Sequence, residues 1–202
     1  MEAKRYFVPT ALGDVSLVFE MKPREDVVVI IHGAGRIAFQ LKDWLANDVV
    51  LAELPGHDAA PPITEELDVF SDALDQAIRY VWPDKPITLV GESLGSIVAL
   101  QSRADRKILV DPPMELTPDV DQEMKVGFIT EWLKPHLRKS YWHLLDQQSR
   151  PVDAICASRS ILPPQAIQRL RIHPNIRFHL IDGGHVLMKD NPEGIARILY
   201  GD

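Results

Sequence analysis

Gly91-Glu92-Ser93-Leu94-Gly95 is the stretch of this 202-residue chain whose residue types and spacing bear most directly on chemistry. It has the form G-x-S-x-G, follows the apolar run Ile87-Thr88-Leu89-Val90 and precedes a helical run from Ile97 to Ser102. A serine on such a strand–turn–helix corner is held in a strained backbone conformation that exposes its hydroxyl. The residues two before and two after it crowd together, so glycine is needed at both places. A hydroxyl is a weak nucleophile and needs a base. Of seven histidines, His185 is the best placed, because Gly183-Gly184-His185 follows the last predicted strand. Parallel strands put all their carboxyl ends on one side of a sheet, and Ser93 is expected on that same side. His32 also ends a strand there, but the glycines after it suggest another task. His136 and His143 fall in a helical stretch and read as surface or cover residues.

The elements that must position Ser93 and His185 alternate along the chain. Arg5 to Val8 and Val15 to Phe19, parted by Gly13-Asp14, predict an opening hairpin. Val27-Val28-Val29-Ile30-Ile31 is apolar throughout, the mark of a strand buried on both faces. Val49 to Ala52, Ile87 to Val90, Ile108 to Val110, Val152 to Ala157 and Ile176 to Ile181 read as further strands. Between them, Val69, Phe70, Ala73, Leu74, Ala77, Ile78 and Val81 fall at helical spacing, with acids before them and Pro83 after. Asn191-Pro192 opens a last helix with Ile195, Ile198 and Leu199 on its buried face. The expected class is α/β: a mostly parallel central sheet with helices on both faces. Residues 112–150 interrupt the alternation; they begin Pro112-Pro113, lack strand signals and predict one to three inserted helices.

Composition narrows the function classes. Hydrophobic residues at 46% and charged residues at 25% are ordinary globular values, so one domain with a full core is expected. The net charge of -7 argues against nucleic acid as a partner. The longest apolar run, Val27 to Ile31, is far short of a membrane span. The start, Met1 to Thr10, has no signal-peptide core, so a soluble cytoplasmic protein is expected. Cys156 is the single cysteine and has no internal disulfide partner. No histidine and acid spacing forms a metal-ligand set, and no cofactor is expected.

Four motifs in order resemble the α/β-hydrolase family over nearly the whole chain. His32-Gly33-Ala34-Gly35 is similar to its oxyanion loop, and Leu54-Pro55-Gly56-His57-Asp58 to its L-P-G-H-G turn, with Asp58 replacing the last glycine. Gly91 to Gly95 matches its nucleophile elbow, and Gly183-Gly184-His185 its histidine loop. The resemblance implies the α/β-hydrolase fold, with 112–150 as a short helical lid. It implies that Ser93 attacks an acyl carbon and that His185 takes and returns the proton. The backbone N–H groups of Leu94 and Ala34, with Gly33 as a neighbouring candidate, would receive the oxyanion. The family usually carries the triad acid after its seventh strand, yet Ala157 to Pro164 holds none. Asp111, directly after Ile108–Val110, is the best substitute; capping the backbone before Pro112 is its plainer role. Asp153 falls at the start of its strand and is expected to face the wrong end, and Asp182, three residues before His185, is a less obvious orienter that stays open.

Other readings stay open. Gly33-Ala34-Gly35-Arg36-Ile37-Ala38 fits G-x-G-x-x-A, and Glu53 ends the next strand twenty residues later, as in an NAD(P)-binding oxidoreductase. Glu53 is otherwise an exposed acid before a turn. A catalytically silent member of the same fold, used for binding, is a further alternative. Phe128, Trp132 and Trp142 are candidates to line an acyl pocket, although such side chains more often bury against the sheet. Arg36 reads as a solvated residue at a helix start. The reading that unites most features is a serine hydrolase acting on an ester, thioester or related acyl bond of a small molecule.

Overall fold

The computed structural model describes residues 3–20, 26–47, 49–115 and 131–201. Eight strands form one sheet: β1 (Lys4–Thr10), β2 (Gly13–Phe19), β3 (Val27–Ile31), β4 (Val50–Ala52), β5 (Ile87–Glu92), β6 (Arg106–Val110), β7 (Val152–Arg159) and β8 (Ile176–Gly184). Their spatial order is β1-β2-β4-β3-β5-β6-β7-β8. The hairpin β1–β2 pairs antiparallel, β2 joins β4 antiparallel, and every later pairing is parallel. The carboxyl ends of β3, β5, β6 and β8 therefore share one side.

The apolar runs are two-sided because the sheet is covered on both faces. Val27, Val29 and Ile31 belong to one core and Val28 and Ile30 to the other, as the period of two in a strand requires. On the first face lie α1 (Leu67–Val81) and α2 (Leu94–Gln101). Helix α1 buries Leu67, Phe70, Ala73, Leu74, Ala77 and Ile78, and Ser71 in the same stripe donates its hydroxyl to Val98 O of α2 at 3.0 Å. Full burial of each large side chain in that stripe contributes about 1.5–3 kcal/mol. Short helices α3 (Lys134–Leu137) and α4 (Trp142–Asp146), then α5 (Pro164–Ile172), complete that side. The other face is covered by the 3₁₀ run Ala38–Asn47 and by α6 (Leu187–Asp190) and α7 (Pro192–Tyr200). Asn191 caps α7 as expected, accepting from Gly194 N at 2.9 Å.

Of the stretch read as a lid, residues 112–115 and 131–150 are described. They contain a 3₁₀ turn at Glu131–Leu133 followed by α3 and α4. His136 is buried, with Nε2 2.9 Å from Glu65 O and its carbonyl accepting from Tyr141 Oη, so it is an internal support and not a surface residue. Cys156 is fully buried in β7, where burial pushes its thiol up to about 12. No helix among the described residues is long and apolar enough to cross a membrane.

Candidate active site

The corner between β5 and α2 shows why the G-x-S-x-G spacing is required. Ser93 has φ 50° and ψ -122°, a backbone conformation that L side chains rarely adopt. A Cβ on Gly91 would lie 2.2 Å from Gly95 O, and one on Gly95 would lie 2.5 Å from Ile31 O. Any side chain at either place would force the corner apart. The turn is fastened by Ser93 N–H to Val110 O and by the Ser96 hydroxyl to Gly91 O, at 2.8 and 2.6 Å.

His185 follows β8, and the expected partner for Ser93 is present in geometry: Nε2 lies 3.0 Å from Ser93 Oγ. Its Nδ1 lies 2.6 Å from Asp111 Oδ2. An ionised carboxylate only accepts, so Nδ1 carries the proton and the Nε2 lone pair faces the serine. Asp111 is fully buried directly after β6, with φ 46°, another left-handed non-glycine residue at a strand end. The structure brings Ser93, His185 and Asp111 into one hydrogen-bonded row.

The end of β7 and the loop after it, which lack an acid, contribute donors instead. Ala157 N–H donates to Asp111 Oδ1 at 3.0 Å, and the Ser160 hydroxyl donates to Asp111 Oδ2 at 2.7 Å. Sequence reading missed Ser160. The signal for it was a hydroxyl residue in the loop that faces the strand end carrying Asp111. Ser158 and Arg159, the last residues of β7, hold Asp182 on the surface, each at 2.7 Å. Asp153 sits near the start of β7, bonded to Arg177 and His179 and paired with Arg106, at the opposite end of the strand as expected.

The loop after β3 runs directly against the serine: a Cβ on Gly33 would lie 2.9 Å from Ser93 Cβ. His32 is fully buried; its Nδ1–H donates to Gly33 O at 2.8 Å, and its Nε2 accepts Leu54 N–H at 3.1 Å. Burial drives its pKa down to about 3, so the ring is neutral and acts as a clamp. Gly33 O also accepts Arg36 N–H at 3.3 Å. The Ala34 N–H, trans to that carbonyl, therefore points the other way. The Ser93 carbonyl accepts Ser96 N–H, which likewise turns Leu94 N–H outward at the start of α2.

With this geometry in place, the alpha/beta hydrolase family profile matches residues 28–153. The chain belongs to that family. No curated protein matches the sequence. Among solved structures, this alpha/beta hydrolase is similar to naproxen esterase (carboxylesterase NP) from Bacillus subtilis: TM-score 0.77 and 13% identity over 98% of this chain and 91% of that one. A thioesterase domain from the curacin biosynthetic pathway aligns with TM-score 0.71 and 15% identity, over 99% and 100% of the chains. A serine hydrolase involved in carbazole degradation aligns with TM-score 0.75 and 15% identity, over 98% of each. At these identities the likeness shows the fold.

Several expectations are corrected within this alpha/beta hydrolase. Glu53 is 1% exposed: Arg5 binds both of its carboxylate oxygens at 2.9 Å and the Ser16 hydroxyl donates to one. It is neither an exposed turn acid nor free to meet a ribose, because its acceptor sites face Arg5 and Ser16. Arg36 is not a solvated helix-start residue; its side chain is 14% exposed and pairs with Glu92. Trp142 is buried in the core, stacked under Arg169 at 4.1 Å with Nε1–H donated to Glu115, so it does not line a pocket beside Ser93. Trp132 is half-buried, with Nε1 3.9 Å from where a Cβ on Gly56 would stand. Phe128 lies outside the described residues. Asp58 adopts φ 49°, which explains why glycine suits that position, and it is held by Arg5.

Proposed function

We propose that this chain is a serine hydrolase that cleaves an ester, thioester or related acyl bond through an acyl-enzyme on Ser93. One observation carries the reading: the Asp111–His185–Ser93 row, with heavy-atom separations of 2.6 and 3.0 Å. As the Ser93 oxygen bonds to the acyl carbon, its proton passes to His185 Nε2, and Asp111 stabilises the resulting imidazolium. His185 then returns the proton to the leaving alcohol or thiol as the bond to the acyl carbon breaks. Water, deprotonated by the same nitrogen, displaces Ser93 and releases the acid.

The outward-turned N–H groups of Ala34 and Leu94 receive the oxyanion, each contributing roughly 3 kcal/mol. Gly33 contributes by its lack of a side chain against Ser93. Residues 112–150 are the candidate lid, and Trp132, half-buried beside Gly56 in the turn after β4, is the described candidate to meet the acyl group. The substrate is a small acyl compound, and the single buried cysteine suits a reducing compartment such as the cytoplasm.

A fluorophosphonate probe tests the reading. Wild-type protein is expected to label and Ser93→Ala to stay unlabelled, with hydrolysis of acyl esters and thioesters lost in parallel. Equal labelling of both proteins, or none of the wild type, overturns it.

A further inference from the structure

Glu92, between the first glycine of the elbow and Ser93, is a carboxylate buried to 1% exposure that the acyl-transfer row does not use. Burial pushes its pKa up, and the Arg36 guanidinium and Met188 N–H oppose that shift. Its Oε2 accepts from Arg36 Nη1, and its Oε1 accepts Met188 N–H at 3.1 Å. The partners come from distant parts of the chain, 56 and 96 residues away. Arg36 stands two residues after Ala34, and Met188 three after His185. The three segments joined by one carboxylate are thus those carrying the nucleophile, the oxyanion donor and the base. Met188 is fixed again on its carbonyl side, where Trp44 Nε1–H donates at 3.2 Å.

We propose that Glu92, with Arg36, is a positioning residue: a buried strut that sets the Ala34 loop and the His185 loop at their working distance from Ser93. The inference rests on the hydrolase reading. The strut touches no reacting atom; it acts through the backbone of both loops. A carboxylate suits the place because it accepts on both oxygens at once, from a cation on one side and an amide on the other. Displacing either loop by about 1 Å is expected to slow acylation by up to about 100-fold.

Two substitutions separate the arms. Glu92→Gln keeps an oxygen for Met188 N–H but turns an amide N–H₂ toward Arg36, where donor meets donor, so only the Ala34 arm is cut. Glu92→Met keeps the bulk and cuts both. With an acyl ester substrate, Glu92→Gln is expected to lower kcat about tenfold with KM within about twofold of wild type, and Glu92→Met to lower it further. Amide hydrogen exchange is expected to quicken at residues 33–37 in Glu92→Gln, and at both 33–37 and 186–190 in Glu92→Met. Unchanged kcat in folded Glu92→Gln, or unchanged exchange in both loops, overturns the strut. If Glu92→Met does not fold, Glu92→Gln decides alone. If the wild type neither labels nor turns over, the hydrolase reading fails; exchange in the two loops then decides whether the strut exists.

Discussion

Asp111→Asn is the most severe test of the hydrogen-bonded row, because the structure fixes how the new amide must sit. Ala157 N–H points at Oδ1 from 3.0 Å and needs an acceptor, so the asparagine oxygen takes that place. The amide nitrogen then replaces Oδ2, which lies 2.6 Å from His185 Nδ1 and 2.7 Å from Ser160 Oγ. An amide N–H can only donate, so it forces Nδ1 to accept, and the ring proton moves to Nε2. Nε2–H then faces Ser93 Oγ at 3.0 Å as a donor, and the serine has no base. Loss of the correct tautomer is worth about 10⁴ in kcat, or roughly 5.5 kcal/mol of barrier. Stability is expected to change by only about 1 kcal/mol, since Ala157, Ser160 and His185 all keep a hydrogen-bond partner. The assay is kcat for an acyl ester and the rate of fluorophosphonate labelling, with urea unfolding as the fold control. A folded Asp111→Asn protein retaining kcat within about tenfold of wild type would refute the tautomer argument and remove Asp111 from the mechanism.

Three further expectations follow from neighbouring geometry. Ser160→Ala removes a charge-assisted donor from Asp111 and is expected to lower kcat about tenfold with KM little changed; unaltered kcat would make Ser160 only a turn residue, through its bond to Leu162 N–H. Gly91→Ala places a methyl 2.2 Å from Gly95 O and is expected to destabilise the fold by about 3 kcal/mol in urea; a change under about 0.5 kcal/mol would refute the close-packing account of the corner. His32 is held neutral with its pKa near 3 against an ordinary 6.5, so the unfolded chain takes up the proton first as pH falls. Stability is therefore full above pH 6.5 and lost progressively down to about 3, by about 2 kcal/mol at pH 5. His32→Gln should lack that portion of the acid loss, and parallel pH–stability curves for the two proteins would exclude it.

Elements whose signal is local were legible in the sequence. The five-residue run Val27–Ile31 forms a strand buried on both faces, and the α1 stripe from Leu67 to Ile78 lies against α2, because period and burial coincide there. The Ser93 corner was legible for a steric reason, since glycines at 91 and 95 are the only residues that fit. What escaped was charge. Arg36, Glu53 and Glu92 are polar letters that nothing nearby marks as buried, and their charged partners lie 48 or 56 residues away. Pairing at that range is a property of the sheet order, which brings β3 beside β5 and β4 beside β2. The pattern in Glu53 that resembled a ribose acid was met by Arg5 from β1, an interaction that no reading of the G-x-G loop itself contains.

In a parallel sheet the loops after β6 and β7 are neighbours, so an acid on either can reach the ring at the end of β8 if the other loop supplies hydrogen bonds. Here β6 supplies the acid and β7 the donors, Ala157 N–H and the Ser160 hydroxyl. Burying Asp111 completely requires those donors, because an ionised carboxylate without partners would be strongly disfavoured at zero exposure. Its left-handed backbone is part of the same arrangement, since Asp111 N–H still reaches Ile155 O at 2.7 Å while the side chain turns toward His185. The absence of an acid between Ala157 and Pro164 is therefore no gap in the row. A second carboxylate there would face Asp111 across hydrogen-bond distance and raise the cost of ionising either one.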